Sequence, residues 1–242
     1  MVTIGQSGWY DGAMLVAGKC PPESGALAAA ADRGFEAVEL YLERHHLESV
    51  EETIDTVASS DVRVVSVHTP HVPLAEREYL DRTDRLAAAC DAYVVFHSRY
   101  VNHVDTADVE ELALRSPYGY ENKTGVSARH LRHMVLRPGH DLVLDVAHLF
   151  MAEREYRQEL ESLLVEYGDR IEVVHLCDST PVQDGLAFGA GEIDMAATAR
   201  LLDRRFEGIV VLEVMPDHQR AALEAFAAAQ SNELSRMVAV GD

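Results

Sequence analysis

The chain has 242 residues, 48% of them apolar, which is enough for one sizeable packed core and leaves no room for a long disordered region. Acidic side chains outnumber lysine plus arginine by 41 to 21, for a net charge of −20, and Lys19 and Lys123 are the only lysines. Such a surface repels phosphate backbones and disfavours nucleic acid as a ligand, although the same acid excess resembles that of halophilic proteins, where it answers to the solvent.

Short β-branched runs alternate with longer alanine- and leucine-rich segments. The predicted strands, in chain order, are Val2–Gly5, Ala37–Tyr41, Val62–His68, Tyr93–His97, Tyr118–Glu121, Leu142–Asp145, Ile171–His175 and Ile209–Glu213. Helical patterns run over Glu23–Arg33, Leu47–Ser59, Glu76–Asp91, Ala107–Leu114, Ala152–Tyr167, Met195–Arg204 and Gln219–Arg236. This alternation specifies βαβ units, and near-continuous apolar strands are those of a parallel sheet covered on both faces. Eight units in this length give a single (β/α)8 TIM barrel spanning residues 1–242 rather than an open sheet, and no GxGxxG follows the first strand. The stretch from Thr106 to Arg137 is short for two units, so truncated helices are expected there. Three scattered cysteines (Cys20, Cys90, Cys177) give no disulfide framework and read as small buried residues. No apolar run reaches the roughly 18 to 20 residues of a membrane span, and MVTIGQSGWYDG lacks the basic start of a signal peptide, so a cytoplasmic location is expected.

The strand ends carry the chemistry. Six consecutive runs stop on His68, His97, Glu121, Asp145, His175 and Glu213, with His148 and Asp178 three residues past the sixth and seventh. In a parallel barrel all these ends meet on one rim, where the βα loops build the site. Carboxylates crowded on a partly buried rim repel one another unless protons or a cation compensate. A divalent metal ion is the simplest compensation, and oxygen ligands with imidazole suit Mn²⁺, Mg²⁺, Co²⁺ or Zn²⁺.

Several segments resemble the xylose-isomerase-like TIM-barrel superfamily, which holds sugar and sugar-phosphate isomerases and epimerases together with abasic-site nucleases of the endonuclease IV type. They are GFEAVELY (34–41), VVSVHTPH (64–71), VVFH (94–97), YENKTG (120–125), LDVAH (144–148), VVHLCDS (173–179), FGAGEIDM (188–195) and GIVVLEV (208–214). The resemblance implies that Glu121, Asp145, His175 and Glu213 hold the metal. It further implies that Glu121 and Glu213 act as paired acid/base catalysts, moving a proton through a metal-stabilised enediolate. His148 would contact substrate or support the metal, and His68 and His97 would line a sugar pocket or, as in the nuclease branch, hold a second metal.

The nuclease branch places an Asp and a His in the loop after strand seven. Here that loop, CDSTPVQDGLAFGAGEID, offers Asp184 but no histidine. Together with the acidic charge, this favours a small sugar or polyol over DNA; the rivals are the abasic-site endonuclease and a barrel that only binds. Trp9 is either a stacking platform for a sugar ring or a packed loop residue. Lys123 reads as a contact for an anionic substrate group or as part of an ordinary turn, and His45 and His46 as a solvated loop or a pocket wall. Gly189 and Gly191 allow a tight loop, and Asp178 either orients the His175 ring or caps that loop.

Overall fold

The computed structural model describes residues 14–97 and 103–239. Its elements, in chain order, are β1 (Leu15–Cys20), α1 (Ser24–Asp32), β2 (Ala37–Tyr41), α2 (Val50–Ala58), β3 (Arg63–His68), α3 (Arg77–Cys90), β4 (Tyr93–Phe96), α4 (His103–Glu110), β5 (Tyr118–Glu121), α5 (Ala128–Leu131), β6 (Leu142–Asp145), α6 (Val146–Ala152), α7 (Tyr156–Tyr167), β7 (Ile171–Leu176), β8 (Asp178–Thr180), β9 (Gln183–Leu186), α8 (Met195–Arg205), β10 (Ile209–Leu212) and α9 (Pro216–Ala239). Eight strands close into a parallel barrel in the order β1-β10-β7-β6-β5-β4-β3-β2, and β8 and β9 form a separate antiparallel hairpin. The expected (β/α)8 barrel is therefore the observed architecture.

The first strand corrects the sequence reading. Barrel strand β1 is Leu15–Cys20, pairing with Ile209–Leu212 on one side and with Val38–Leu40 on the other. The expected strand Val2–Gly5 lies outside the described residues. The helix expected over Ala152–Tyr167 starts late, as α7 at Tyr156, and a separate helix not expected from sequence, α6, ends at Ala152; between them Glu153 turns extended (φ −127°, ψ 125°) and its carboxylate accepts the Ala128 N–H at 2.8 Å. The segment before β6 is short, as expected: α5 is one turn, followed by a wide turn over Arg132–Leu136.

The core has two layers, set by the two periodicities. On helices, buried positions recur at helical spacing, as with Leu80, Thr83, Leu86 and Ala87 of α3, and they pack on the outward side chains of the strands. Inside the barrel a smaller cluster contains Ala17, Ala37, Val65, Tyr93, Val95, Val143, Val173, Ile209 and Val211. Alternate strand residues face the same way. Two positions beyond six of these inner residues stand Lys19, Glu39, His97, Asp145, His175 and Glu213; Glu121 holds the same relation to Gly119. The barrel thus has an apolar floor and a titratable layer directly above it, at the C-terminal mouth.

Helix α9 closes the ring by packing on α8, β1 and β10. Its Phe226 is 1% exposed, among the largest fully buried side chains. Phe226→Ala should lower unfolding free energy by about 3–5 kcal/mol in chemical denaturation. A loss under about 1 kcal/mol would place that ring outside the core.

Candidate metal centre

The structure brings Glu121, Asp145, His175 and Glu213 together, with one ligand atom from each lying within 4.8 Å of the others. Glu121, Asp145 and His175 are buried, whereas the Glu213 side chain is 32% exposed toward the opening. His175 sits at the centre. Its Nδ1 is 3.0 Å from Glu121 Oε1 and 3.1 Å from Glu213 Oε2, and its Nε2 is 3.1 Å from Glu39 Oε2. Burial alone would favour a neutral ring, but Glu39 and Glu213 outweigh it and push the His175 pKa well up.

Each ligand is positioned by its local fold. Asp145 ends β6 and caps α6, its Oδ1 accepting the His148 N–H at 2.8 Å, so one oxygen serves the helix and the other is left for the site. Asn122, just past Glu121, binds the Asp145 backbone both ways: its Oδ1 accepts the Asp145 N–H (2.6 Å) and its Nδ2 donates to the Asp145 carbonyl (2.9 Å). That pair staples the ends of β5 and β6 and fixes the spacing of their carboxylates.

Two further charged residues stand in the layer, both missed by the sequence reading. Lys19 Nζ lies 2.8 Å from Glu213 Oε1 and 2.9 Å from Glu39 Oε1. Glu39 is fully buried and also accepts from Ser66 Oγ at 2.8 Å. Although burial disfavours its charge, His175 and Lys19 hold the Glu39 carboxyl well below the usual range. Lys19 is kept charged by Glu213 and Glu39 against the same penalty. The signal available in sequence was positional: Lys19 and Glu39 each stand two residues past a small inward alanine.

Four carboxylates (Glu39, Glu121, Asp145, Glu213) crowd the layer, with Lys19 and His175 among them and His68 and His148 at its edge. Burial first, and then Glu213 and Glu121, push the Asp145 carboxyl up to about 6. Glu213 Oε2 is buried and accepts no aligned hydrogen bond. A donor set of three carboxylates and an imidazole, one carboxyl raised by its carboxylate neighbours, fits a divalent cation.

His148 bridges two acceptors: Nδ1 lies 2.8 Å from the Asn122 carbonyl and Nε2 3.1 Å from Asp184 Oδ2. A carbonyl can only accept, so Nδ1 carries a proton and donates to Asn122. Asp145 and Glu121 raise the His148 pKa against the burial penalty. His68 Nδ1 lies 3.1 Å from the Thr69 carbonyl, and its Nε2 is 3.6 Å from Glu121 Oε2. His97 packs edge-on to His68 and against His71.

These groups open on a cavity of about 400 Å³, lined among others by Tyr41, His68, His71, His97, His148 and Asp184. The three histidines assigned to the pocket from sequence all line it, and Tyr41 and His71 are additions. Lys123 is exposed on the loop after β5 and is not part of the lining. Trp9 lies outside the described residues. His46 is buried and His45 exposed, both away from the cavity. With Glu23 they form a second acidic and imidazole trio. There His46 Nδ1 accepts the Glu43 N–H (3.0 Å), which places the ring proton on Nε2, the nitrogen facing Glu23 at 3.6 Å. No lone pair remains on that ring for a cation.

Asp178 turns out to serve the loop rather than the His175 ring. Its carboxylate accepts the backbone N–H groups of Ser179, Gly189, Gly191 and Ile193. A Cβ on Gly191 would fall 2.5 Å from the Ser179 carbonyl oxygen, so glycine is required there, and Gly189 has φ +86°. This anchorage holds the β8–β9 hairpin that carries Asp184 to the mouth.

A parallel barrel whose C-terminal mouth gathers three carboxylates and an imidazole around a polar cavity defines the class: a TIM barrel with a candidate metal centre. A family model described as the xylose isomerase-like TIM barrel matches residues 43–232, and the chain belongs to that family. No curated protein matches it. Among solved structures, an L-ribulose 3-epimerase is 14% identical, with a TM-score of 0.67 over 95% of this chain and 98% of that one. A D-allulose 3-epimerase from Methylomonas sp. is 17% identical (TM-score 0.66; 90% and 98% covered). An AP endonuclease of family 2 from Brucella melitensis is 16% identical (TM-score 0.64; 88% and 98% covered). At these identities the likeness is one of fold. No helix among the described residues is long and apolar enough to cross a membrane.

Two predictions follow from this geometry. Asp178→Ala strands four backbone donors, each worth about 1–3 kcal/mol when buried and unpaired. It should lower the melting temperature sharply while leaving divalent-cation affinity within a few fold. A large loss of affinity without destabilisation would restore Asp178 as a partner of His175. The His97 pKa is lowered from 6.5 to about 4 by burial and then by His68. Between those values the unfolded chain takes up the proton and the folded chain does not, so acidification in that window destabilises the fold. In chelator, the wild type should therefore lose more melting temperature from pH 7 to pH 5 than His97→Asn does; equal losses would refute this assignment.

Proposed function

We propose that the protein is a metal-dependent isomerase or epimerase of a small sugar or polyol, working by proton transfer next to a carbonyl. The observation that carries this reading is the pair of carboxylates, Glu121 and Glu213, placed on either side of one imidazole nitrogen at the floor of the cavity. Glu121, Asp145, His175 and Glu213 would hold the ion. When bound, a divalent cation supplies a Lewis acid that polarises a substrate carbonyl and a neighbouring hydroxyl.

The chain's own groups then divide the work. Glu121 and Glu213 approach the substrate from different strands and different environments. One, ionised, removes the proton beside the carbonyl; the other must first take a proton from water, which reaches the partly exposed Glu213, and then returns it to the opposite face of that carbon or to the adjacent carbon. Buried Glu121 is held ionised by His175 and His68 against the cost of burial. Glu213 is lowered to about 2, Lys19 and His175 outweighing burial. His148, its pKa raised by Asp145 and Glu121 against burial, stands at the wall beside Asp184 and can hydrogen-bond a substrate hydroxyl through Nε2. Tyr41, His71 and His97 offer ring faces and polar edges for a polyol.

A neutral substrate fits this lining better than a phosphorylated one. Among the described lining residues there is no arginine, and the one lysine, Lys19, is already shared by two glutamates. The epimerases of ribulose and allulose that share the fold are consistent with a free ketose. A second reading, metal-dependent hydrolysis of abasic DNA, is favoured by His68 and His97 standing beside Glu121, where a further cation would need ligands.

The test is proton exchange. In D₂O with Mn²⁺ or Co²⁺, a panel of free ketoses should take up deuterium at the carbon beside the carbonyl. Glu121→Gln and Glu213→Gln should each lower that exchange by about 10²–10⁴-fold. Exchange that survives both substitutions would sink the reading, and metal-dependent cleavage of abasic-site duplex by catalytic amounts of enzyme would replace it.

A further inference from the structure

Lys19 and Glu39 precede the segment matched by the family model, which begins at residue 43, yet they sit in the innermost layer of the site. They come from neighbouring strands and are Cα partners in the β1–β2 register. Each oxygen of Glu39 is engaged. Oε1 lies 2.9 Å from Lys19 Nζ, and Oε2 accepts from Ser66 Oγ at 2.8 Å and faces His175 Nε2 at 3.1 Å. Lys19 reaches on to Glu213 Oε1 at 2.8 Å. The carboxylate is therefore fixed from three sides, with no exposure to water.

A carboxylate can only accept, so the nitrogen of His175 facing the sealed Glu39 keeps its proton, and a cation held among Glu121, Asp145 and Glu213 would replace a proton only at the other nitrogen. The other nitrogen, Nδ1, points at Glu121 and Glu213. We propose that Glu39 is a positioning residue for the metal centre: by holding Nε2–H of His175 it turns the Nδ1 lone pair toward the space shared by Glu121, Asp145 and Glu213. Lys19 serves this arrangement twice. It neutralises Glu39, which otherwise would be an unpaired buried charge, and it holds Oε1 of Glu213 so that Oε2 is the oxygen turned toward Nδ1. A carboxylate behind a ligating histidine fixes its tautomer and ring orientation and raises its basicity, and loss of such a partner weakens metal binding about 10–100-fold.

This inference rests on the metal-centre reading above, and the experiment separates the two. The full chain, freed of metal by chelator, is titrated with Mn²⁺ by calorimetry as wild type, Glu39→Ala and Glu39→Gln. The dissociation constant should rise about 10–100-fold in Glu39→Ala and recover in part in Glu39→Gln, whose amide oxygen still accepts a proton. Melting curves in chelator show that the variants fold. A second measurement needs no variant: nitrogen NMR of the Zn²⁺-loaded wild type should show the His175 proton on Nε2 and the metal on Nδ1. A wild type that takes up no divalent cation overturns the metal centre and this inference together. A wild type that binds while a folded Glu39→Ala binds equally well, or a proton found on Nδ1, overturns the inference alone.

Discussion

Mutual repulsion among the carboxylates at the barrel mouth is the constraint around which this structure is arranged. Two unit charges about 4–5 Å apart repel by about 3–4 kcal/mol at the effective dielectric of a protein site. Glu121, Asp145 and Glu213 are packed at that scale on a rim largely shielded from water, with buried Glu39 behind His175. The fold answers with Lys19 between Glu39 and Glu213, and with His175 among three carboxylates. The repulsion that remains appears in Asp145, whose carboxyl is raised by burial and by Glu213 and Glu121. A metal-free state this strained is poised to take up charge.

The barrel can sustain that strain because of what lies beneath it. The inner floor of alanine, valine, isoleucine and one tyrosine keeps water from reaching the titratable layer from below. Above it, the ends of the strands are tied rather than free. Asn122 joins β5 to β6 through the Asp145 backbone, and Asp178 gathers four N–H groups of the loop after β7. A site of repelling groups needs such fasteners, since each ligand would otherwise swing outward into solvent.

Legibility in the sequence followed the same physics. Glu121, Asp145, His175 and Glu213 stood out because each ends an unbroken apolar run, where a charge can only mean the rim. Lys19 did not, because LVAGKC sets an alanine and a glycine side by side just before it and looks less β-like than VTIG. Glu39 did not, because AVELY places it inside the strand rather than at its end. The barrel interior is narrowest in alanine there, which is what makes room for the long side chains above. The break between α6 and α7 was hidden for another reason: MAEREYR has good helical propensity throughout, and it is the tertiary bond from Ala128 to Glu153 that turns the chain. The hairpin of β8 and β9 was masked by glycine and proline, which announce a loop without announcing its shape.

The two glutamates at the centre of the proposed chemistry are not equivalent, and the difference comes from their neighbours. Glu121 is sealed, with imidazoles on both of its oxygens: His175 at 3.0 Å and His68 at 3.6 Å. Glu213 is a third exposed and is shared by the His175 ring at 3.1 Å and the Lys19 ammonium at 2.8 Å. A proton taken by a carboxylate sealed among imidazoles stays shielded from bulk water, whereas one taken at the opening exchanges. Under the proposed reading, a proton removed by Glu121 would be retained and one removed by Glu213 would be lost to solvent. The direction of the reaction would then decide how much solvent isotope the product carries.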